Sequence, residues 1–286
     1  MKFPALFFLL LQTGYMLSTK PVKLSQKSAS PSGVSFKLDS LSFYDVVRKR
    51  VIPVAVYIPE TAKQASGRPV VIFSHGYGDN KGGDNVAYSY LTEFLATQGY
   101  FVASVQHELP TDELLPTTGK PQEVRRPNWE RGVRNILFVL NELKQREPLL
   151  NYKRLTLIGH SNGGDMSILF AHLYPQYVNK IITLDNRRMP FPRGKKPRIY
   201  SLRSTDQSAD EGVLPTPDEQ KKYGMKIIQL KNTLHNDMDN HANAAQRQEI
   251  NAYILNFLKD GDFSQKRVYR GLARKPSPDA AKARSF

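Results

Sequence analysis

The chain has 286 residues, no cysteine, and 41 lysines and arginines against 26 acids, a net charge of +15. Its 40% hydrophobic and 23% charged residues are ordinary globular usage and exclude disorder over most of its length. The missing cysteine excludes a disulfide framework, a thiolate metal site, a catalytic thiol and an iron–sulfur cluster.

The first twenty residues read as an export leader. Lys2 is a positive start, Phe3 to Leu11 is an apolar run broken only by Pro4, and a mixed stretch follows to Ser18. That run is too short for a bilayer-spanning helix, which needs about 20 apolar residues, and it fits the apolar region of a signal peptide over 1–19. An exported, periplasmic or secreted, chain is the expectation. Residues 20–41, rich in Ser, Lys and Pro towards their start, read as a linker.

Two β-like runs, Ser42–Arg48 and Val51–Ile58, flank the basic turn Lys49-Arg50. Val70-Val71-Ile72-Phe73 is continuously apolar, as a strand covered on both faces must be. A helix over Tyr88–Gln98 and a strand over Tyr100–Gln106 follow. The helix Trp129–Arg146 carries Val133, Ile136, Leu137, Leu140 and Leu143 on one stripe. Then come strand Leu155–Gly159, helix Gly163–Leu173 and strands Ile181–Leu184 and Ile199–Leu202. A short helix Asp218–Tyr223, a strand Lys226–Leu230 and a last helix Ala242–Leu258 complete the domain. Strands alternating with helices predict a mostly parallel α/β sheet with helices on both faces, over residues 42–260. Residues 261–286 read as a basic tail.

The positive charge is local. Segment 20–50 has seven bases against two acids, segment 187–198 has six bases and no acid, and segment 266–286 has seven bases against one acid. Those three stretches exceed the whole excess, so the remainder is slightly acidic. No zinc-finger, RNP-like or helix-turn-helix pattern accompanies the bases, so nucleic acid is not the expected partner. An anionic membrane surface is a candidate partner.

The sharpest motif is Gly159-His160-Ser161-Asn162-Gly163, between a strand and a helix. It fits G-x-S-x-G, in which a serine on a strained strand-to-helix turn stands exposed above a helix N-terminus. Glycines on either side remove side chains that would collide there. A second Gly-rich loop, Ser74-His75-Gly76-Tyr77-Gly78, also ends a strand. Acyl transfer needs two N–H donors for its oxyanion, and Tyr77 and Asn162 are the candidates. The glycines do not fit a dinucleotide or P-loop pattern, and no metal-ligand spacing is present, so neither cofactor nor metal is expected. The chain order Ser…Asp…His places the base after the last strand, at His235, with His241 as the alternative.

With these residues in view, the chain resembles the α/β-hydrolase superfamily over about residues 42–260. The resemblance rests on HGYG at 75–78, GHSNGG at 159–164 and LHND at 234–237. Within it the chain looks like the esterase and lipase branch that includes platelet-activating-factor acetylhydrolase-like and chlorophyllase-like enzymes, through Val51–Pro59, Phe73–Gly76 and Leu184-Asp185. The resemblance implies a serine hydrolase acting on small-molecule or lipid esters. It leaves the acid open. Most members carry it after the next-to-last strand, which is Asp206, with Asp210 four residues on. The acetylhydrolase-like members carry it one strand earlier, which is Asp185. An acyltransferase on the same site, or a non-catalytic binding protein on the same fold, are the other readings. The loops 108–116 and 187–198 are expected to shape the pocket entrance.

Overall fold

The computed structural model describes residues 25–29, 35–60 and 66–261. The leader expected over 1–19 and, apart from Gly261, the tail expected over 261–286 lie outside these residues.

Among the described residues nine strands form one sheet, in the order β1-β2-β3-β5-β4-β6-β7-β8-β9. The first three, β1 (Ser25–Ala29), β2 (Ser35–Asp45) and β3 (Arg50–Pro59), pair antiparallel along one side. β4 (Pro69–Ser74), β5 (Phe101–Val105), β6 (Asn151–His160), β7 (Lys180–Leu184), β8 (Arg198–Arg203) and β9 (Lys226–Gln229) run parallel. The stretch expected to be a linker over 20–41 is therefore corrected: the sheet begins inside it. Phe36, Leu38, Leu41 and Phe43 of β2 pack into the cores through a strand whose other residues are Ser, Lys, Asp and the exposed Tyr44. One solvated face lets such a strand carry many polar residues.

Two cores follow from the period of two along each strand. Val54, Val56, Val70, Ile72, Leu155, Leu157 and Ile181 face one core, under α3 (Arg126–Arg146) and α4 (Ser161–Leu173). Tyr57, Val71, Phe73, Ile158, Ile182 and Leu202 face the other, under α1 (Ser89–Thr97) and α6 (Ala244–Lys259). Two shorter helices, α2 (Pro121–Val124) and α5 (Pro217–Tyr223), lie in the connections. Each fully buried Leu, Ile or Phe contributes about 1.5–3 kcal/mol relative to exposure, so the two faces clamp the sheet rigidly. Local signals set the helix starts. Thr216 with Glu219 and Asn243 with Gln246 form capping boxes at α5 and α6. Among the described residues no helix is long and apolar enough to cross a membrane.

The parallel strands all end on one edge. Ser74, His160 and Leu184 close β4, β6 and β7 there, and the loops that follow carry the candidate residues. Such an edge is where open α/β sheets bind ligands.

Candidate active site

β6 runs without a connecting residue into α4, and Ser161 is the joint, held at φ 48°. A left-handed conformation costs a non-glycine residue on the order of 1–3 kcal/mol, so the surroundings must enforce it. They do so by close approach. A Cβ on Gly159 would stand 2.4 Å from the Gly163 carbonyl oxygen, and one on Gly163 would stand 2.3 Å from the carbonyl oxygens of Ser74 and His75. The glycines of the motif let α4 press against both β6 and the loop after β4.

Ser161 Oγ lies 2.9 Å from Nε2 of His235, and Nδ1 of His235 lies 2.6 Å from Oδ2 of Asp185. The chain of contacts fixes the imidazole with its proton on Nδ1, facing Asp185, and Nε2 free to accept from the serine. Asp185 is fully buried and is itself held at φ 56° by the tight exit from β7. Ser204 donates its hydroxyl to Oδ2 at 2.6 Å and its N–H to Oδ1 at 3.1 Å, and Arg203 lies 2.8 Å from Oδ1. Burial is the largest single influence on this carboxyl and pushes it up. The His235, Arg203 and Ser204 contacts together outweigh it and hold the group below the usual carboxylate range.

The structure thus brings together Ser161, His235 and Asp185. Asp206, the foremost candidate for the acid, is not on the imidazole; Asp185 takes that place. Oδ1 of Asp206 accepts the His235 N–H at 2.7 Å, so Asp206 holds the backbone of the loop that presents the ring. Asp210 pairs with Arg188 instead. His241 is exposed and bonds its neighbour Asp239, away from the serine.

Tyr77 lies in the loop after β4, against whose start α4 presses, and Asn162 follows Ser161 in α4. Asn162 is the second residue of α4, where an N–H has no partner within its own helix. Its side chain is tied down: Oδ1 accepts from Trp129 Nε1 at 2.8 Å, and Nδ2 donates to Asn128 at 2.9 Å and to Glu108 at 3.1 Å. The Tyr77 hydroxyl accepts the Leu115 N–H at 3.0 Å. His75 donates from Nδ1 to the Gly76 carbonyl at 2.6 Å and accepts the His107 N–H at Nε2, at 2.9 Å. The loop is therefore braced from both sides.

Two buried groups escaped the sequence reading. Glu108, buried in the loop after β5, accepts from both Asn128 and Asn162. Tyr88 accepts the Gly76 N–H at 3.1 Å and donates to His160 Nδ1 at 2.6 Å. The His160 ring lies 4.7 Å from that of His235. Burial, then the neighbouring His235, push His160 down to about 3, so it stays neutral beside the base. No short-range motif marks either residue, because their partners come from other elements. Among the described residues no group of three or more His, Asp or Glu side chains is placed to hold a metal ion.

This arrangement, a strained serine between a parallel strand and a helix with its imidazole and carboxylate delivered by later loops, is the α/β-hydrolase fold. The likeness extends to solved structures. The chain superposes on the esterase Est22 with a TM-score of 0.58 at 13% identity, covering 79% of this chain and 82% of that one. It matches a ferulic acid esterase from Streptomyces cinnamoneus with a TM-score of 0.56 at 18% identity, over 84% of this chain and 90% of that one. A dienelactone hydrolase-like promiscuous phosphotriesterase, P91, from metagenomic libraries gives 0.56 at 16%, over 78% and 98%. In sequence, a serine hydrolase-like protein from Danio rerio is 29% identical over 119 residues, which is 42% of this chain but only 31% of that protein. No family model matches the chain.

Proposed function

We propose that the protein is a serine hydrolase of carboxylic esters. The observation that carries this reading is the unbroken contact from Ser161 through His235 to Asp185, at 2.9 and 2.6 Å, above the N-terminus of α4. The esterases among its structural neighbours support it. Ser161 Oγ attacks the acyl carbonyl as His235 Nε2 takes the hydroxyl proton, and Asp185 stabilises the imidazolium. The N–H groups of Tyr77 and Asn162 receive the oxyanion, each donor worth on the order of 3 kcal/mol in the transition state. Collapse of the tetrahedral intermediate expels the alcohol, which takes the proton from His235. Water, deprotonated by the same imidazole, then releases the acid and restores the serine.

Labelling with a fluorophosphonate tests the assignment. The full chain is expected to be labelled in one position and Ser161→Ala not at all. Equal labelling of the two proteins would place the nucleophile elsewhere.

A further inference from the structure

The hairpin that joins β2 to β3 projects from the same sheet edge as Ser161. Val54 of β3 pairs with Val105 at the end of β5, the Gln106 N–H donates to Pro53 at 2.9 Å, and Arg50 reaches the His107 carbonyl at 2.7 Å. Three strand spacings, about 14 Å, separate β3 from β6 along that edge. At the tip Val46 is 74% and Val47 93% exposed. Tyr44 and Val51, cross-strand partners beside them, are exposed as well. The tip is pinned rather than loose. Arg48 donates its N–H to Asp45 at 3.1 Å and its guanidinium to Asn135 of α3 at 2.8 Å. A fixed turn presenting two adjacent valines to water is a feature that needs a counterpart.

Beside the valines lies a cleft of about 400 Å³ whose walls include Arg48, Lys49, Arg50, Arg131 and Arg134. Arg48 pairs with Asp45, while Arg50 and Arg131 share Asp112, so these three bases meet only two acids. Lys49 and Arg134 have no ion pair among the described residues, so the cleft keeps a positive surplus. Apolar side chains at the tip and cations just behind it match one surface. We infer that this hairpin docks on an anionic lipid bilayer, with Val46 and Val47 entering the boundary between headgroups and acyl chains and the lipid phosphates meeting the cleft. The two signals are complementary, since a small apolar insertion or a few cations alone bind membranes weakly. A second copy of this chain would bring the same positive charge against itself, and a nucleic acid would leave the valines without a partner. The inference does not depend on the proposed activity, and its test needs no turnover.

The absence of cysteine makes the test specific, because a single introduced thiol labels one place. An environment-sensitive fluorophore is attached to the full-length Val47→Cys protein, and separately to Leu149→Cys, exposed in the connection from α3 to β6 at the opposite edge. Both are mixed with vesicles of phosphatidylcholine alone or of equal parts phosphatidylcholine and phosphatidylglycerol. The expected result is a severalfold brightening and blue shift at position 47 only, with anionic vesicles only, that fades as salt rises. Adding Lys49→Glu and Arg134→Glu should abolish it. No change at position 47, an equal change with neutral vesicles, or equal changes at 47 and 149 would overturn the inference. So would a label already blue-shifted without vesicles in proportion to protein concentration, which would mean that the hairpin meets a second copy.

Discussion

His235 lies 50 residues beyond Asp185 in the chain, and its Nδ1 stands 2.6 Å from the Asp185 carboxylate. Asp206, nearer in sequence, meets His235 at its backbone N–H and not at the ring. The two contacts predict opposite outcomes for the same substitution. In Asp185→Asn the amide nitrogen can donate towards Nδ1 and favour the wrong tautomer, so kcat for a p-nitrophenyl ester should fall by roughly 10³–10⁴. In Asp206→Asn the remaining carbonyl oxygen still accepts the backbone N–H, so the loss should stay within about tenfold, or 1.4 kcal/mol. The reverse order of effects in steady-state rates would make Asp206 the acid.

The elbow glycines give a prediction about shape. A Cβ on Gly163 meets two backbone oxygens at 2.3 Å, whereas one on Gly132 of α3 meets Met166 Sδ at 2.2 Å. A thioether end can swing away, while backbone in the loop after β4 cannot move without moving Tyr77. Overpacking of a rigid site costs typically about 1–3 kcal/mol, and alanine in a helix regains about 1 kcal/mol over glycine. Gly163→Ala should therefore unfold at clearly lower urea than Gly132→Ala and lose most of its activity. Equal midpoints would mean that the loop yields.

Much of this was readable in the sequence, for identifiable reasons. The buried strands are short apolar runs, and the nucleophile sits in a local motif whose glycines are needed within two residues. His235 follows from chain order. The acid does not, because the ends of β7 and β8 both reach the imidazole in principle. The choice depends on register: Leu184 pairs with Leu202, which sets Asp185 against Arg203 and Ser204 one residue further on. That pairing leaves no trace in either segment alone. Only the end of β2, from Ser42, reads as a strand in the sequence. Its first part reads as linker, since Ser35, Lys37, Asp39 and Ser40 hide the spacing of Phe36, Leu38 and Leu41.

The Glu108 carboxylate predicts coupling between stability and catalysis. Oε1 accepts from Asn128 at 3.2 Å and from Asn162 at 3.1 Å, all three side chains being buried. Glu108→Ala leaves the Asn128 amide without that acceptor, at a cost of about 1–3 kcal/mol. It also loosens Asn162, whose N–H is a proposed oxyanion donor. The expected signature is a lower urea midpoint together with a fall in kcat larger than any rise in KM, largely rescued by Glu108→Gln, which keeps an acceptor oxygen. A change in KM alone would mean that the network shapes the binding site and leaves the oxyanion donors untouched.

Asp165 predicts a pH dependence of stability opposite to that of Asp185. Its buried carboxyl accepts the N–H groups of Arg188, at 3.0 Å, and Met189, at 2.8 Å. Burial raises it to about 6 despite those bonds and the nearby arginines. Between the unfolded carboxylate value of about 4 and the folded value, the native state holds the extra proton. The Asp165 contribution therefore falls as pH rises through that window and is constant above it. Asp165→Asn keeps a carbonyl acceptor and carries no charge. Its urea midpoint relative to the parent chain should improve from pH 4 to pH 7. A difference independent of pH would mean that Asp165 does not titrate there.

The basic stretch 187–198 narrows to one residue near the reaction. Arg188 pairs with Asp210, Arg193 with Glu219 and the carbonyls of Phe191 and Gly212, and Arg198 lies 4.0 Å from Asp260. Lys195 and Lys196 are exposed further along the loop. Arg187 is half-buried, two residues beyond Asp185, in a loop that Asp165 straps to the first turns of α4. It has no ion pair among the described residues. In water an unscreened charge about 4 Å from an anionic group is worth on the order of 1 kcal/mol. Rates for a negatively charged ester, such as a succinate monoester, should therefore exceed those for its neutral counterpart at low salt. That advantage should shrink as the Debye length falls from about 10 Å at 0.1 M to about 3 Å at 1 M. Arg187→Gln should erase it, while the neutral ester is cleaved as before. If kcat/KM for the anionic ester keeps its salt dependence in Arg187→Gln, the charge that attracts it lies elsewhere on the chain.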